Sequence, residues 1–271
     1  MYSIHAFILG VVQGLTEFLP VSSSGHLLAF HDFLGFDLAD SLSFDAALHL
    51  GTLAALLAFF WRDVIGIVRG FFSSLRKWEV QTNQQQAFAW AVILGTIPAG
   101  IVGLALEDWI GKNLRSPWLV VVTLVIGAFG FWIAERWYAK QTPKQPLTLR
   151  RAIIVGLAQC VALIPGISRS GATIVAGLGV KLERGMAARF AFLVSLPVVA
   201  AAGTLKLREL LLADLTRSEL TSIGIGVATS AIVGYVVIAF FLRFIQHRTL
   251  AVFAWYRLAA AAVLSLLLIL R

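Results

Sequence analysis

Five long stretches of this chain contain no Asp, Glu, Lys or Arg, and they restrict its fold more than any other feature. They cover residues 80–106, 116–134, 152–168, 190–205 and 220–242. A helix needs about 20 mostly apolar residues to cross the hydrocarbon core of a bilayer. The stretches do not alternate apolar and polar residues, as the strands of a membrane barrel do. We therefore expect an all-α polytopic membrane protein.

Composition excludes the other common classes of protein. Of the 271 residues, 59% are hydrophobic and 13% are charged, which is about half the charged fraction of a soluble domain. The net charge of +8 can indicate nucleic-acid binding in a soluble protein. Here the basic residues lie near the ends of the apolar stretches, so we expect a membrane and no nucleic acid as partner. The single cysteine, Cys160, excludes an internal disulfide.

Six stretches are predicted to cross the membrane simply, and two others are interrupted. The simple spans are roughly 45–62, 86–107, 118–137, 187–208, 220–243 and 250–270. The apolar stretches 4–34 and 151–180 are interrupted by FLPVSSSG at 18–25 and by IPGISRSG at 164–171. Proline, serine and glycine break a helix, and unwound backbone survives at membrane depth only where it is buried in protein or lines a water-filled cavity. We expect two re-entrant helix–loop–helix hairpins.

The two interrupted stretches also resemble each other. The aligned pairs include Gly10–Gly156, Gln13–Gln159 and Ser22–Ser168 at a shift of 146 residues, and Gly95–Gly226 at a shift of 131. We expect a single membrane domain over 1–271 with an internal duplication, about 1–137 and 147–271. Each half then contains one re-entrant hairpin and three transmembrane helices. An odd number of crossings makes this an inverted repeat, which commonly holds its site where the repeats meet.

The distribution of Lys and Arg predicts the orientation in the membrane. The connections 62–85, 135–151, 181–189 and 243–257 hold 15 of the 22 basic residues, and the opposite side holds six. Cytoplasmic loops carry the excess of Lys and Arg in membrane proteins. We therefore expect both termini to face outward, with the first hairpin opening from the outer side and the second from the inner side.

Arg169 is the remaining basic residue, and it lies inside the second break. An ionisable residue at membrane depth is a functional-site candidate by default. Hydroxyls and glycines surround it in PGISRSGAT at 165–173, and the helix predicted to follow directs its positive dipole end there. Arginine binds phosphate or carboxylate through paired hydrogen bonds, so we expect a multiply charged oxyanion. The alternative is neutralisation by a protein carboxylate such as Glu17, which is less favoured because it leaves the hydroxyls unexplained.

The first break, QGLTEFLPVSSSGH at 13–26, adds groups that could do chemistry. Gln13 and Glu17 are four residues apart and share a helix face. A carboxylate and an anion site in one cavity favour a bridging divalent cation. Three serines, Gly25 and His26 follow, and a serine beside a histidine can be a nucleophile with its base. Each feature alone has a simpler explanation, because SSSG is often a helix cap and a lone histidine is often a core residue.

Other polar residues have simpler explanations. Asp45 lies one turn before His49 on the same helix face. We expect these two either to line the entrance to the site or to satisfy each other. The eight tryptophans mostly suit anchoring at the membrane interface.

The motifs are similar to those of the bacterial undecaprenyl-diphosphate phosphatases, also called the bacitracin-resistance proteins. The similarity is most specific at residues 10–26 and 165–173, and weaker at LGTLAALLAFFWRD (50–63) and AWYRL (254–258). It implies hydrolysis of undecaprenyl diphosphate to undecaprenyl phosphate and inorganic phosphate. That reaction recycles the lipid carrier for peptidoglycan synthesis at the inner membrane. It implies a polyprenyl diphosphate lipid as partner and leaves a homodimer open. The charge count, with the first hairpin opening outward, predicts a site that faces the outer side.

The resemblance also implies roles for individual residues. Catalytic roles fall on Glu17, Ser23, His26 and Arg169, with Mg²⁺ or Ca²⁺ held by Glu17. Diphosphate-binding roles fall on Gln13, Ser22, Ser24, Gly25, Gly166, Ser168, Ser170, Gly171 and Thr173. The family pattern allows Glu or Gln at the position of Gln13. We therefore expect Glu17 to be the one carboxylate that holds the cation, together with substrate oxygens and water.

Two mechanisms and a second function stay open. In one mechanism Ser23 attacks the terminal phosphorus with help from His26. In the other, a metal- or histidine-activated water attacks, and Ser23 only binds. Inverted repeats with broken helices are also a transporter design, so the alternative function is a transporter or flippase for a lipid phosphate or small anion. A carrier has less use for a carboxylate beside Arg169, which favours hydrolysis.

Overall fold

A computed structural model shows that the chain folds into a helical bundle. It describes residues 2–34, 41–114, 116–140, 144–212 and 215–270. These described residues form eleven helices: α1 Tyr2–Phe18, α2 Ser23–Leu34, α3 Ser41–Phe59, α4 Trp61–Arg76, α5 Gln84–Asn113, α6 Pro117–Ala139, α7 Leu149–Val161, α8 Arg169–Gly179, α9 Arg184–Leu212, α10 Arg217–His247 and α11 Ala251–Leu270. The all-helical class predicted from the apolar stretches is confirmed.

Five of the predicted spans coincide with long apolar helices. Among the described residues, α5, α6, α9, α10 and α11 are each long and apolar enough to cross a membrane. The predicted span 45–62 differs, because the chain bends by 78° between α3 and α4. These two helices are long and apolar enough to cross a membrane only when they are taken together.

Helix α4 follows this bend and is absent from the predicted spans. Its exposed apolar side chains form one stripe: Trp61, Ile65, Val68, Phe72 and Leu75. Arginines recur every seven residues next to that stripe: Arg62, Arg69 and Arg76. An apolar stripe flanked by arginines is typical of a helix that lies along a membrane surface. The arginines lower the mean hydropathy of this segment, so hydropathy does not predict a transmembrane span here. The sequence signal for α4 is the helical spacing of its apolar residues.

Both predicted helix breaks are present, and both contain a serine in the left-handed region of backbone conformation. The φ angle is 76° at Ser22, between α1 and α2, and 74° at Ser168, between α7 and α8. The Oγ of each serine accepts a hydrogen bond from the backbone N–H three residues later, at 3.3 Å from Gly25 and 3.2 Å from Gly171. Each serine therefore caps the helix that restarts after the break.

The two interrupted stretches pack on their partner helices through the same kind of contact. Helix α1 packs on α10, and α7 packs on α5. Each crossing brings two glycines together, Gly10 with Gly226 and Gly156 with Gly95. A Cβ atom on Gly10 would lie 2.7 Å from the Gly226 carbonyl oxygen, and one on Gly156 would overlap main-chain atoms of Gly95. These are the glycines that align at shifts of 146 and 131 residues, so the contact recurs in both halves of the sequence.

Gly156→Ala is expected to lower the thermal unfolding midpoint of the detergent-purified protein. The added Cβ overlaps main-chain atoms of α5, which cannot rotate away, and overpacking of this kind costs about 1–3 kcal/mol. Gly100→Ala on α5 is the matched control, since nothing lies within 4 Å of a Cβ at that position. Equal midpoints for the two variants would contradict the close crossing of α5 and α7.

Candidate functional site

The two helix breaks meet inside the bundle. Glu17, near the end of α1, forms an ion pair with Arg169 at the start of α8. The Oγ of Ser170 donates a hydrogen bond to the carbonyl oxygen of Leu19 at 3.2 Å. The two most specific sequence motifs therefore form one site, although they are far apart in the chain.

The carboxylate of Glu17 lies at the centre of this site. Its side chain is 6% exposed, and its Oε1 accepts from Arg169. Its Oε2 accepts from the Ser23 Oγ at 2.7 Å and from the Gln13 Nε2 at 3.1 Å. The His49 Nε2 lies 3.5 Å from the same oxygen. Contacts from four directions hold the carboxylate in one orientation.

A cavity of about 400 Å³ opens beside this carboxylate. Its lining includes residues with hydroxyl or charged groups: Glu17, Ser22, Ser23, Ser24, Ser168 and Arg169. It also includes apolar residues, mainly from α9 and the end of α7: Ala99, Ala162, Leu163, Val198, Val199 and Ala202. A ligand with a multiply charged head and an apolar tail matches this mixed lining.

Arg169 has the carboxylate partner that the sequence argument considered less favoured. The structure corrects that preference, because Glu17 does pair with this guanidinium. The ion pair leaves part of the guanidinium available to a ligand, because this group has five N–H donors and the side chain remains 24% exposed. Arg169 also lines the cavity, so pairing with a protein carboxylate and binding an oxyanion are compatible.

The expected contact between Ser23 and His26 is not found. The His26 Nδ1 lies 2.7 Å from the carbonyl oxygen of Ser22, and its Nε2 lies 2.7 Å from the Tyr256 Oη. A carbonyl only accepts, so Nδ1 carries the proton and Nε2 accepts from the tyrosine. Ser23 donates to Glu17 instead. The serine hydroxyl turns back towards α1 while the imidazole reaches α11, a difference in direction that three residues of spacing do not reveal.

Three of the nine predicted diphosphate-binding residues line the cavity: Ser22, Ser24 and Ser168. The others are not part of its wall: Gln13, Gly25, Gly166, Ser170, Gly171 and Thr173. Thr173 illustrates the reason, because its Oγ1 donates to the carbonyl of Arg169 at 2.7 Å. A helical hydroxyl commonly bonds its own backbone in this way. In the structure these six shape the breaks or pack behind them, and their roles in binding stay predictions.

His49 and Gln159 line the cavity although neither had an assigned chemical role. The His49 Nδ1 lies 2.8 Å from the Asp45 carbonyl oxygen, so its Nε2 is the atom that faces Glu17. Asp45 also lines the cavity. Asp45 and His49 satisfy each other only through that carbonyl, because the carboxylate of Asp45 pairs with His31 at 2.9 Å. The sequence did contain a signal for Gln159, because this residue aligns with Gln13, a predicted site residue, at the shift of 146.

Arg257 is a second arginine at the breaks. The distribution of basic residues predicts that it lies in a cytoplasmic connection, but its side chain is completely buried, at 0% exposure. Its guanidinium donates to main-chain carbonyls of both breaks, including those of Pro20 and Gly166. The sequence signal was the weaker AWYRL motif, in which this arginine lies within an apolar helix.

The residues suit a cation held jointly with a phosphate. Among the described residues there is no cluster of three or more His, Cys, Asp or Glu side chains that could hold a metal ion. The Oε1 of Gln13 is buried and has no hydrogen-bond partner within the described part of the chain. Gln13 lies behind the cavity wall, whereas Glu17 is on it, so the Glu17 carboxylate is the oxygen ligand that can face the cavity. Mg²⁺ is usually bound by one or two carboxylates together with substrate phosphates, so this donor set fits it.

Comparison with known proteins shows the family of this chain. Residues 6–263 match the family described as Bacitracin resistance protein BacA. An undecaprenyl-diphosphatase of Rubrobacter xylanophilus is 45% identical to this chain over 268 residues, which cover 98% of each protein. The undecaprenyl-diphosphatases of Geotalea daltonii and Thermomicrobium roseum are 44% and 42% identical, over 94% or more of each chain. The chain therefore belongs to the bacitracin resistance protein BacA family.

Proposed function

We propose that this protein hydrolyses undecaprenyl diphosphate to undecaprenyl phosphate and inorganic phosphate. The observation that carries the proposal is the contact of Glu17 with both Ser23 and Arg169 on the wall of one cavity. Family membership supports the same reaction, because the similar proteins are named undecaprenyl-diphosphatases. The product is the lipid carrier of peptidoglycan synthesis, so the reaction recycles that carrier and confers resistance to bacitracin.

Arg169 is the group that binds the diphosphate. Its guanidinium can form paired hydrogen bonds with phosphate oxygens, and it stabilises negative charge that develops on the transferring phosphoryl group. Ser22, Ser24 and Ser168 line the same cavity, and in this proposal their hydroxyls donate to the remaining oxygens. The apolar residues that α9 contributes to the lining take the first units of the prenyl tail.

Glu17, rather than His26, is the base that the geometry favours for Ser23. The serine hydroxyl already donates to this carboxylate at 2.7 Å. As the Ser23 Oγ bonds to the terminal phosphorus, its proton passes to Glu17, and the bond from that phosphorus to the bridging oxygen breaks. Undecaprenyl phosphate leaves and takes that proton from Glu17. Water then attacks the phosphorus of the serine phosphoester and gives a proton to Glu17, the bond from phosphorus to the Ser23 Oγ breaks, and the proton passes to that oxygen as inorganic phosphate leaves. In the competing mechanism, an activated water attacks directly and Ser23 only binds.

A divalent cation, Mg²⁺ or Ca²⁺, completes the proposed site. Glu17, on the cavity wall, is the residue that would hold it, with phosphate oxygens and water as further ligands. Charge on the phosphate oxygens is neutralised by such a cation when it is bound.

The proposed architecture is an inverted repeat with two re-entrant hairpins in the bacterial inner membrane. The matched serine caps and the matched glycine crossings support it. The charge distribution supports a periplasmic site. With Arg257 buried, 14 basic residues remain in the connections assigned to the cytoplasm. Arg115 and Arg271, which the opposite count includes, lie outside the described residues.

Arg169→Ala and Ser23→Ala are expected to abolish phosphate release from a polyprenyl diphosphate. Loss of the guanidinium removes charge stabilisation, an effect of about 100-fold or more in rate, and loss of the hydroxyl removes the proposed nucleophile. Phosphate would be measured with purified protein in the presence and absence of Mg²⁺ or Ca²⁺, and chelation of the cation is expected to stop release. Arg243→Ala and Ser265→Ala are matched controls that should retain activity.

Folded wild-type protein that releases no phosphate across several lipids and metals would contradict the proposal. The transporter alternative would then be tested by flux through liposomes, in which substrate crosses the bilayer with no bond cleaved.

The two mechanisms differ in the stereochemistry at phosphorus. Attack by Ser23 involves two displacements and is expected to retain the configuration of an isotopically chiral terminal phosphate, whereas direct attack by water inverts it. Acid quenching followed by mass spectrometry is expected to detect phosphate on the peptide that contains Ser23. Inversion of configuration would rule out the serine nucleophile and leave the phosphatase itself intact.

The orientation can be tested by cysteine labelling in a Cys160→Ala background. Lys112→Cys, near the end of α5, is expected to react with a membrane-impermeant maleimide in intact cells. Lys77→Cys, which follows α4, is expected to react only after the cells are permeabilised. The opposite result would place the first hairpin on the cytoplasmic side.

A further inference from the structure

Arg257 uses every donor of its guanidinium on main-chain oxygens. The guanidinium has five N–H groups. Its five acceptors are the carbonyls of Pro20 (3.4 Å), Thr123 (2.9 Å), Leu124 (3.1 Å), Gly166 (2.8 Å) and Ile167 (3.1 Å). The side chain comes from α11, and none of these acceptors belongs to that helix. One side chain therefore connects three other segments of the protein.

The acceptors belong to the two breaks and to α6. Pro20 lies in the first break, while Gly166 and Ile167 lie in the second. Carbonyls near the end of a helix have no partner within it, and a buried carbonyl without a partner is unfavourable. Arg257 satisfies carbonyls of both breaks at once, so it connects them in addition to the ion pair of Glu17 with Arg169.

The surroundings of Arg257 are built for an arginine. No carboxylate pairs with it among the described residues, and its guanidinium lies 5.4 Å from the centre of the Phe131 ring. Space for the planar group comes from Gly127 of α6, where a Cβ would overlap the guanidinium. A lysine has three donors on a single atom and cannot reach acceptors spread over three segments.

We propose that Arg257 is a positioning residue for the phosphatase reaction, which holds the break that carries Ser23 at a fixed distance from the break that carries Arg169. This inference rests on the proposed function. Pro20 lies three residues before the proposed nucleophile, and Ile167 lies two residues before Arg169. A shift of either break moves one of these groups relative to the other. A misplacement of about 1 Å can reduce a rate by about 100-fold.

Two substitutions test the proposal from opposite sides. Arg257→Lys keeps the charge and removes the branched set of donors. Gly127→Ala keeps Arg257 and pushes its guanidinium out of place. Arg243→Lys, the same change at an arginine on α10, is the matched control.

The measurements are kcat and KM for a polyprenyl diphosphate, and amide hydrogen exchange of peptides that cover the two breaks. In Arg257→Lys and Gly127→Ala we expect kcat to fall about 10-fold or more while KM changes less than about threefold. We expect exchange to become faster at residues 17–25 and 162–171 and to stay unchanged in α10. Arg243→Lys is expected to match the wild type in all of these measurements.

Wild-type kcat and wild-type exchange at both breaks in Arg257→Lys would overturn the proposal. Exchange that rises equally throughout the bundle would also overturn it, since that result indicates general stabilisation only. If Arg257→Lys does not fold, Gly127→Ala decides by the same two measurements. Failure of the proposed function itself is distinguishable, because it appears as a wild-type protein that releases no phosphate.

Discussion

Peptide groups at a broken helix must find hydrogen-bond partners in apolar surroundings, and much of this structure supplies them. The oxygens of Ser22 and Ser168 accept from the N–H groups of the helices that follow the breaks. Thr123 donates to the carbonyl of Pro165 at 2.8 Å, and Arg257 donates to further carbonyls of both breaks. A buried N–H or C=O group cannot bond to water instead. Each such group left without a partner is therefore unfavourable by roughly 2–7 kcal/mol.

The same requirement concentrates reactive groups in one place. A protein that is 59% hydrophobic has few locations where hydroxyls and charges are stable, and two breaks that satisfy each other create one. Glu17 and Arg169 compensate each other's charge across the breaks, which makes both tolerable in the interior. They also leave Ser23 hydrogen-bonded to a carboxylate beside a cavity. Structural stabilisation and the proposed chemistry therefore depend on the same side chains.

The prediction of local features from sequence was successful, and the prediction of contacts was less so. Hydropathy located the five long helices, and proline, serine and glycine located both breaks, because these are properties of short segments. Hydropathy missed α4, whose arginines lower its mean over any window. The spacing of Ser23 and His26, three residues apart, predicts that they interact, whereas the serine contacts Glu17 and the histidine contacts Tyr256. The sequence favoured an oxyanion over Glu17 as the partner of Arg169, whereas the structure pairs Arg169 with Glu17.

The sequence by itself determined that the protein is a helical membrane protein with two broken helices, and which residues at those breaks could do chemistry. These properties follow from apolar length and from backbone preferences within a few residues. Only the tertiary structure decided that Ser23 donates to Glu17 and that His49 faces the same carboxylate. It also decided that Arg257 is buried and donates to carbonyls of both breaks, although the sequence places it in a connection between helices. Those contacts depend on how each helix is rotated about its axis and on which helix packs against it. Both are set by packing between segments that are distant in the chain.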